Sequence, residues 1–300
     1  MGVKDEISSI FFNIVKRQVT RKMAKASLVL NTTNVNGDII EYWDTNSSKP
    51  VLVLIHGFGA TTEYQWFSQV DFLSKKYRLI LPNLFHFGKS KPKTEKYQIA
   101  NQVEMVHDLL QSLKIGNYTV CGLSYGGLVA IELVNLYEKE VEKLIVFDTP
   151  IKFMKEEDIE KVCEVFNAES LEKLFVPDNE KGIKSLMWLA SGKKSKLPSF
   201  LFKSYFKKLY SHNLEDKRRV MKSLIDSLEK YSKQEYYIEI PILIIWGSND
   251  LVVPKSRGKL LAKYLGDNAE FKLIEGGAHL PNISNTNEFN LILSEFLNRN

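Results

Sequence analysis

Apolar residues fall along this chain in two rhythms. Residues 51–55 (VLVLI), 77–81, 118–122 and 142–147 are short, nearly unbroken apolar runs rich in branched side chains. Strands buried on both faces read this way. Between them, residues 65–75, 99–113 and 126–137 carry apolar positions at helical spacing. Strand alternating with helix predicts a parallel sheet with helices on both sides. The alternation stops at Pro150, and residues 151–236 are mostly helical and charged. It resumes with a buried strand at 241–246 (PILIIW), a helix at 255–265, a strand at 270–274 and a helix at 286–298.

Ahead of the alternating region, residues 26–31 and 38–43 read as two strands, and Asn36-Gly37 between them is a strong hairpin signal. Residues 7–24 predict a helix with Ile7, Ile10, Phe11, Ile14 and Val15 on one face and basic residues nearby. That face is expected to pack on the protein's own core, the alternative being a membrane surface. The expected organisation is therefore an N-terminal amphipathic helix at 1–25, an α/β core of about eight strands over 26–150 and 237–300, and a helical insertion at 151–236.

Charge sharpens this picture. The formal net charge is +5, but residues 1–30 and 193–222 are strongly basic and the remainder is net negative. Basic segments suit an anionic membrane surface or anionic substrate. No nucleic-acid-binding motif accompanies them, which argues against a nucleic-acid partner. With no apolar run long enough to span a bilayer and no secretory signal, a cytoplasmic location is expected, with peripheral membrane contact through the basic segments. Two cysteines, Cys121 and Cys163, make no disulfide framework, and no Cys/His spacing suits zinc, so no metal is expected. Oligomeric state is not legible in the sequence.

The chemistry lies at the strand ends. Gly122-Leu-Ser124-Tyr-Gly126 falls between a buried strand and a helix. A serine on such a sharp turn holds its hydroxyl above the sheet edge, and small residues two before and two after it avoid clashes with neighbouring elements. A serine hydroxyl needs a base and an orienting acid. His279, in Gly-Gly-Ala-His-Leu-Pro after the last strand, is the expected base. Asp250, one loop past the strand 241–246, is the expected acid, with Asp148 as its rival. Backbone N–H groups of Phe58, in the loop His56-Gly57-Phe58-Gly59-Ala60, and of Tyr125 are the expected oxyanion donors. His86 is expected near the site.

With these residues placed, the chain resembles the α/β-hydrolase fold superfamily, and within it the lid-bearing branch of carboxylesterases, monoacylglycerol lipases and meta-cleavage C–C hydrolases. The resemblance covers residues 38–150 and 236–300. It implies that residues 151–236 form a lid, and that no organic cofactor or metal is needed. Serine at the elbow, rather than aspartate, argues against haloalkane or epoxide chemistry. The loop Leu81-Pro82-Asn83-Leu84 departs from the family at Asn83, where aspartate is usual, and a structural change without loss of catalysis is expected. The function implied is hydrolysis of a small-molecule ester or lipid-like substrate through an acyl-enzyme on Ser124. Two alternatives stand beside it. One is C–C bond cleavage by the same triad, with Arg218 or a lid lysine anchoring a carboxylate. The other is a non-catalytic receptor on the same fold.

Overall fold

The computed structural model describes residues 2–299. Eight strands form one sheet: β1 (Val29–Val35), β2 (Asp38–Asp44), β3 (Val51–Ile55), β4 (Arg78–Pro82), β5 (Tyr118–Leu123), β6 (Val141–Phe147), β7 (Ile242–Gly247) and β8 (Ala269–Ile274). Their spatial order is β1-β2-β4-β3-β5-β6-β7-β8, with β3 to β8 parallel and β2 antiparallel to both its neighbours. This is the expected α/β architecture.

The unbroken apolar runs follow from burial on both faces. In β3, Val53 and Ile55 join one core while Leu52 and Leu54 join the other. In β7, Ile242, Ile244 and Trp246 face the first and Leu243 and Ile245 the second. These two strands contribute alternate side chains to two cores, so neither has a position left for a polar residue.

The helices are α1 (Val3–Lys25), the short α2 (Thr62–Trp66) and α3 (Val70–Leu73), α4 (Ile99–Ser112), α5 (Tyr125–Tyr137), α6 (Glu156–Phe166), α7 (Leu171–Phe175), α8 (Glu180–Ser191), the single turn α9 (Lys203–Tyr205), α10 (Leu214–Lys233), α11 (Lys255–Leu265), α12 (Pro281–Ser284) and α13 (Thr286–Leu297). Helices α6 to α10 lie in the connection between β6 and β7. Arg257 of α11 grips Asp158 of α6 with two hydrogen bonds of 2.8 and 3.0 Å, fastening that connection to the core.

Two local expectations differ from the structure. Strand β1 begins at Val29 and runs to Val35, later than the expected 26–31. Ser27 adopts a left-handed φ of 59°, which delays the strand. Edge exposure then lets the polar run Asn31–Asn34 pair fully with β2 up to the Asn36-Gly37 turn. Helix α1 packs on the core through only part of the expected face, with Phe11 and Val15 half-buried against it. Ser8, Phe12, Val19 and Met23 are buried, whereas Ile7, Ile10 and Ile14 are exposed by 44, 60 and 50%. Phe11 and Phe12 engage Phe202 and Tyr205, and the Ser8 hydroxyl donates to Leu201 O and accepts from Ser204 N–H. An aromatic cluster and a hydroxyl clip outweigh the aliphatic face.

Candidate active site

Ser124 sits between β5 and α5 with φ 50° and ψ −117°, a left-handed conformation that a non-glycine residue adopts only under constraint. The constraint is packing. A Cβ on Gly122 would strike the backbone of Gly126, and one on Gly126 would strike the carbonyl of His56. Gly127 leaves room in the same way for the side chain of Thr149. The elbow is therefore wedged between β3, β5 and β6.

Three strand ends converge here. His279 Nε2 lies 3.1 Å from Ser124 Oγ, and His279 Nδ1 lies 3.1 and 3.0 Å from the two carboxylate oxygens of Asp250. The Asp250 carboxylate is fully buried and also accepts the N–H groups of Val252 and Val253 at 2.7 and 3.2 Å. Asp148, the rival acid, ends β6 and is wholly buried. It accepts the Gly247 N–H at 3.0 Å through Oδ1, while its Oδ2 finds no ordinary partner. One polar atom from each of Asp148, Asp250 and His279 lies within 4.8 Å of the others. Burial, and then the Asp250 charge, push the Asp148 carboxyl well above the usual carboxylate range. Asp250 has three donors around it and Asp148 only one.

Phe58 and Tyr125, the expected oxyanion donors, line one cavity with Ser124. The Phe58 N–H has no acceptor among the described residues, and Tyr125 opens α5 ahead of the N–H groups of Gly127 and Leu128, which donate to Ser124 O. The loop carrying Phe58 is held by a residue that sequence reasoning missed. Gln65 of α2 accepts the Gly57 N–H at 2.8 Å and donates to Gly57 O and Ala60 O. Asn282 of α12 donates to Gln65 O at 2.7 Å, linking this loop to the segment after His279. The signal was slight: Gln65 and Gln69 are two buried amides four residues apart, flanking Trp66 and Phe67. His56 stiffens the same loop. Its Nδ1–H donates to Gly57 O and its Nε2 accepts the Leu84 N–H, and burial lowers its pKa to about 4. Above the loop, the Tyr210 hydroxyl comes so close to Gly59 that a Cβ there would meet it at 3.0 Å. Tyr210 belongs to a π-helical turn at Phe206–Tyr210, a form frequent near functional sites.

Ser124 opens into a narrow cavity of about 40 Å³. Its walls include Phe58, Phe175, Met221, Leu224 and Val252, and no charged side chain lines it. Beyond the wall, Lys217 of α10 is buried with its ammonium donating to Leu209 O and Tyr210 O. Burial lowers its pKa to about 8.

Other expected participants are engaged elsewhere. His86 stacks on Tyr97 and bonds Lys96 O, outside the cavity wall. Arg218 faces Glu172 and Glu215 at 3.8 and 3.5 Å. Asn83 is buried, donating to Glu41 Oε2 at 2.8 Å and accepting the Thr62 N–H at 2.9 Å. Aspartate at that position would set two carboxylates together, so Glu41 accounts for the departure from the family pattern.

Residues 50–286 match the family described as alpha/beta hydrolase fold. The chain belongs to this family. As an α/β hydrolase it is 25% identical over 239 residues to monoacylglycerol lipase ABHD6 of Homo sapiens, covering 77% of this chain and 70% of the human protein. It is 26% identical over 293 residues to Lipase 1 of Psychrobacter immobilis, covering 96% of this chain and 90% of that lipase. Among solved structures, a bacterial membrane phospholipase A superposes with a TM-score of 0.79 at 21% identity, covering 97% of this chain and 93% of the other. A meta-cleavage product hydrolase of Pseudomonas fluorescens superposes at 0.74 with 22% identity, covering 89 and 97%. These structural likenesses concern the fold. Among the described residues no helix of this α/β hydrolase is long and apolar enough to cross a membrane.

Proposed function

We propose that this α/β hydrolase cleaves carboxylic esters of lipid-like molecules through an acyl-enzyme on Ser124. The observation that carries the reading is the bridge of His279 between Ser124 Oγ and the buried carboxylate of Asp250, at the mouth of an apolar cavity. His279 takes the proton of Ser124 as the hydroxyl attacks the ester carbonyl. The N–H groups of Phe58 and Tyr125 hold the developing oxyanion. The alcohol leaves with the proton from His279, and water activated by the same imidazole releases the acid. Asp250 keeps the imidazole oriented and balances its charge. Residues 151–236 act as the lid, supplying Phe175, Met221 and Leu224 to the acyl channel. The named activities of the human and Psychrobacter relatives agree with an ester substrate.

Cleavage of C–C bonds in a dienoic ketoacid needs a cation for the substrate carboxylate. No cation lines the cavity, and Arg218 is held by two glutamates. This disfavours the second reading despite the likeness in fold.

The test is labelling by a fluorophosphonate probe, followed by a p-nitrophenyl ester chain-length series, with Ser124→Ala as control. Labelling and turnover that vanish together in the variant support the proposal. Folded wild-type protein that neither labels nor turns over any ester overturns it.

A further inference from the structure

Val3, Ile7, Ile10, Ile14, Arg17 and Arg21 follow one another along α1 at intervals of four and three residues. That spacing puts them in a single stripe about 27 Å long. All six are exposed, the four apolar ones by 44 to 73%. Four consecutive aliphatic side chains in the open are unusual for a surface helix. The opposite stripe of Ser8, Phe12, Val19 and Met23 already packs on the protein, so the outer one has no partner of its own. Beside its basic end, Asn13, Lys16, Arg17, Thr20 and Arg21 line an open depression of about 410 Å³. Among the described residues, no carboxylate pairs with Lys16, Arg17 or Arg21. The acids of α1 are Asp5, bound to Lys203, and Glu6, both in its first turn.

We infer that this outer face of α1 docks the protein on an anionic lipid bilayer. The apolar half suits the acyl boundary, and Arg17 and Arg21 with Lys16 suit lipid phosphates. A second copy of the chain fits less well. A parallel pairing would oppose Arg17 and Arg21 with themselves, and an antiparallel one would bury them against Val3 and Ile7 with Glu6 as their one nearby acid among the described residues of α1 that is not already bound. The inference goes beyond the ester-hydrolase reading and does not depend on it, because the face lies apart from Ser124.

The experiment is flotation of the full chain with vesicles of phosphatidylglycerol and phosphatidylcholine in equal parts, and with phosphatidylcholine alone. Wild type and Ser124→Ala should both float with the anionic vesicles, weakly with neutral ones, and less as salt rises. The pair Ile10→Asp and Ile14→Asp should lower partitioning about tenfold or more. The pair Arg17→Ala and Arg21→Ala should lower it about fivefold for each cation removed. Hydrolysis of a soluble short-chain ester should stay unchanged in both pairs, which excludes misfolding. Wild type that stays in the soluble fraction, equal binding to neutral vesicles, or full binding by either pair overturns the inference. So does a wild-type dimer, by light scattering, that the isoleucine substitutions dissociate.

Discussion

The carboxyl groups of Asp148 and Asp250, carried just beyond the adjacent parallel strands β6 and β7, meet in one buried pocket beside His279, where burial and the Asp250 charge hold the Asp148 carboxyl well above its usual range. Asp148 is thereby biased towards its neutral form. Asp148→Asn keeps a donor and an acceptor and should hold kcat/KM within about threefold, whereas Asp148→Ala should lower it about tenfold. Stability separates the two ionisations. A carboxyl whose pKa is raised on folding gives full stability below its unfolded value of 3.8 and loses it as pH rises toward its folded value. Asp148→Asn removes that loss. Its urea midpoint should exceed wild type at about pH 8 and not at about pH 4.

Cavity width should set acyl preference. Leu224 and Met221 line the channel beyond Ser124. Replacing Leu224 by alanine removes three carbons from the wall, and each extra substrate methylene then accommodated is worth about tenfold in kcat/KM. The p-nitrophenyl ester optimum should move to longer chains in Leu224→Ala, with short-chain rates little changed. An unmoved optimum would mean that the acyl chain runs elsewhere.

Gln65 does not line the Ser124 cavity, yet it holds both the N–H and the C=O of Gly57, next to Phe58. In Gln65→Leu the loop loses its anchor while Ser124, Asp250 and His279 keep theirs. Fluorophosphonate labelling should persist, KM should change little, and kcat should drop about tenfold or more.

Lys217 carries a buried ammonium against two carbonyls, with its pKa lowered from 10.5 to about 8. Between those values the unfolded chain binds a proton that the folded protein does not. Stability therefore gains from this group as pH rises through that window, by up to about 3 kcal/mol. The urea midpoint of Lys217→Met should lack this rise and should exceed wild type at neutral pH, where burying an unpaired cation is costly.

The elements that self-contained patterns specify were legible in the sequence. Strands β3 and β7 carry their burial in unbroken apolar runs, Ser124 directly follows β5, and Asp250 and His279 stand in the loops after β7 and β8. Relationships made across the sheet were not. Asp148 meets Asp250 only because β6 and β7 pair despite the helices α6 to α10 between them, and no local pattern states that adjacency. Asn83 makes sense only beside Glu41. In α1, helical spacing pointed to Ile7, Ile10, Phe11, Ile14 and Val15 as the inner face, of which only Phe11 and Val15 lie against the core. The true inner face is chosen by Ser8 and the two phenylalanines, whose partners lie in residues 199–205.

The approach of the Tyr210 hydroxyl to Gly59 has a consequence for sequence drift. Gly59 already holds a left-handed φ of 125°, and any side chain there would also press on the phenol. A side chain at 59 is therefore opposed both by the backbone and by Tyr210, so relatives that keep this turn should keep glycine there. The loop over the nucleophile is constrained in its evolution by a residue from a distant part of the chain.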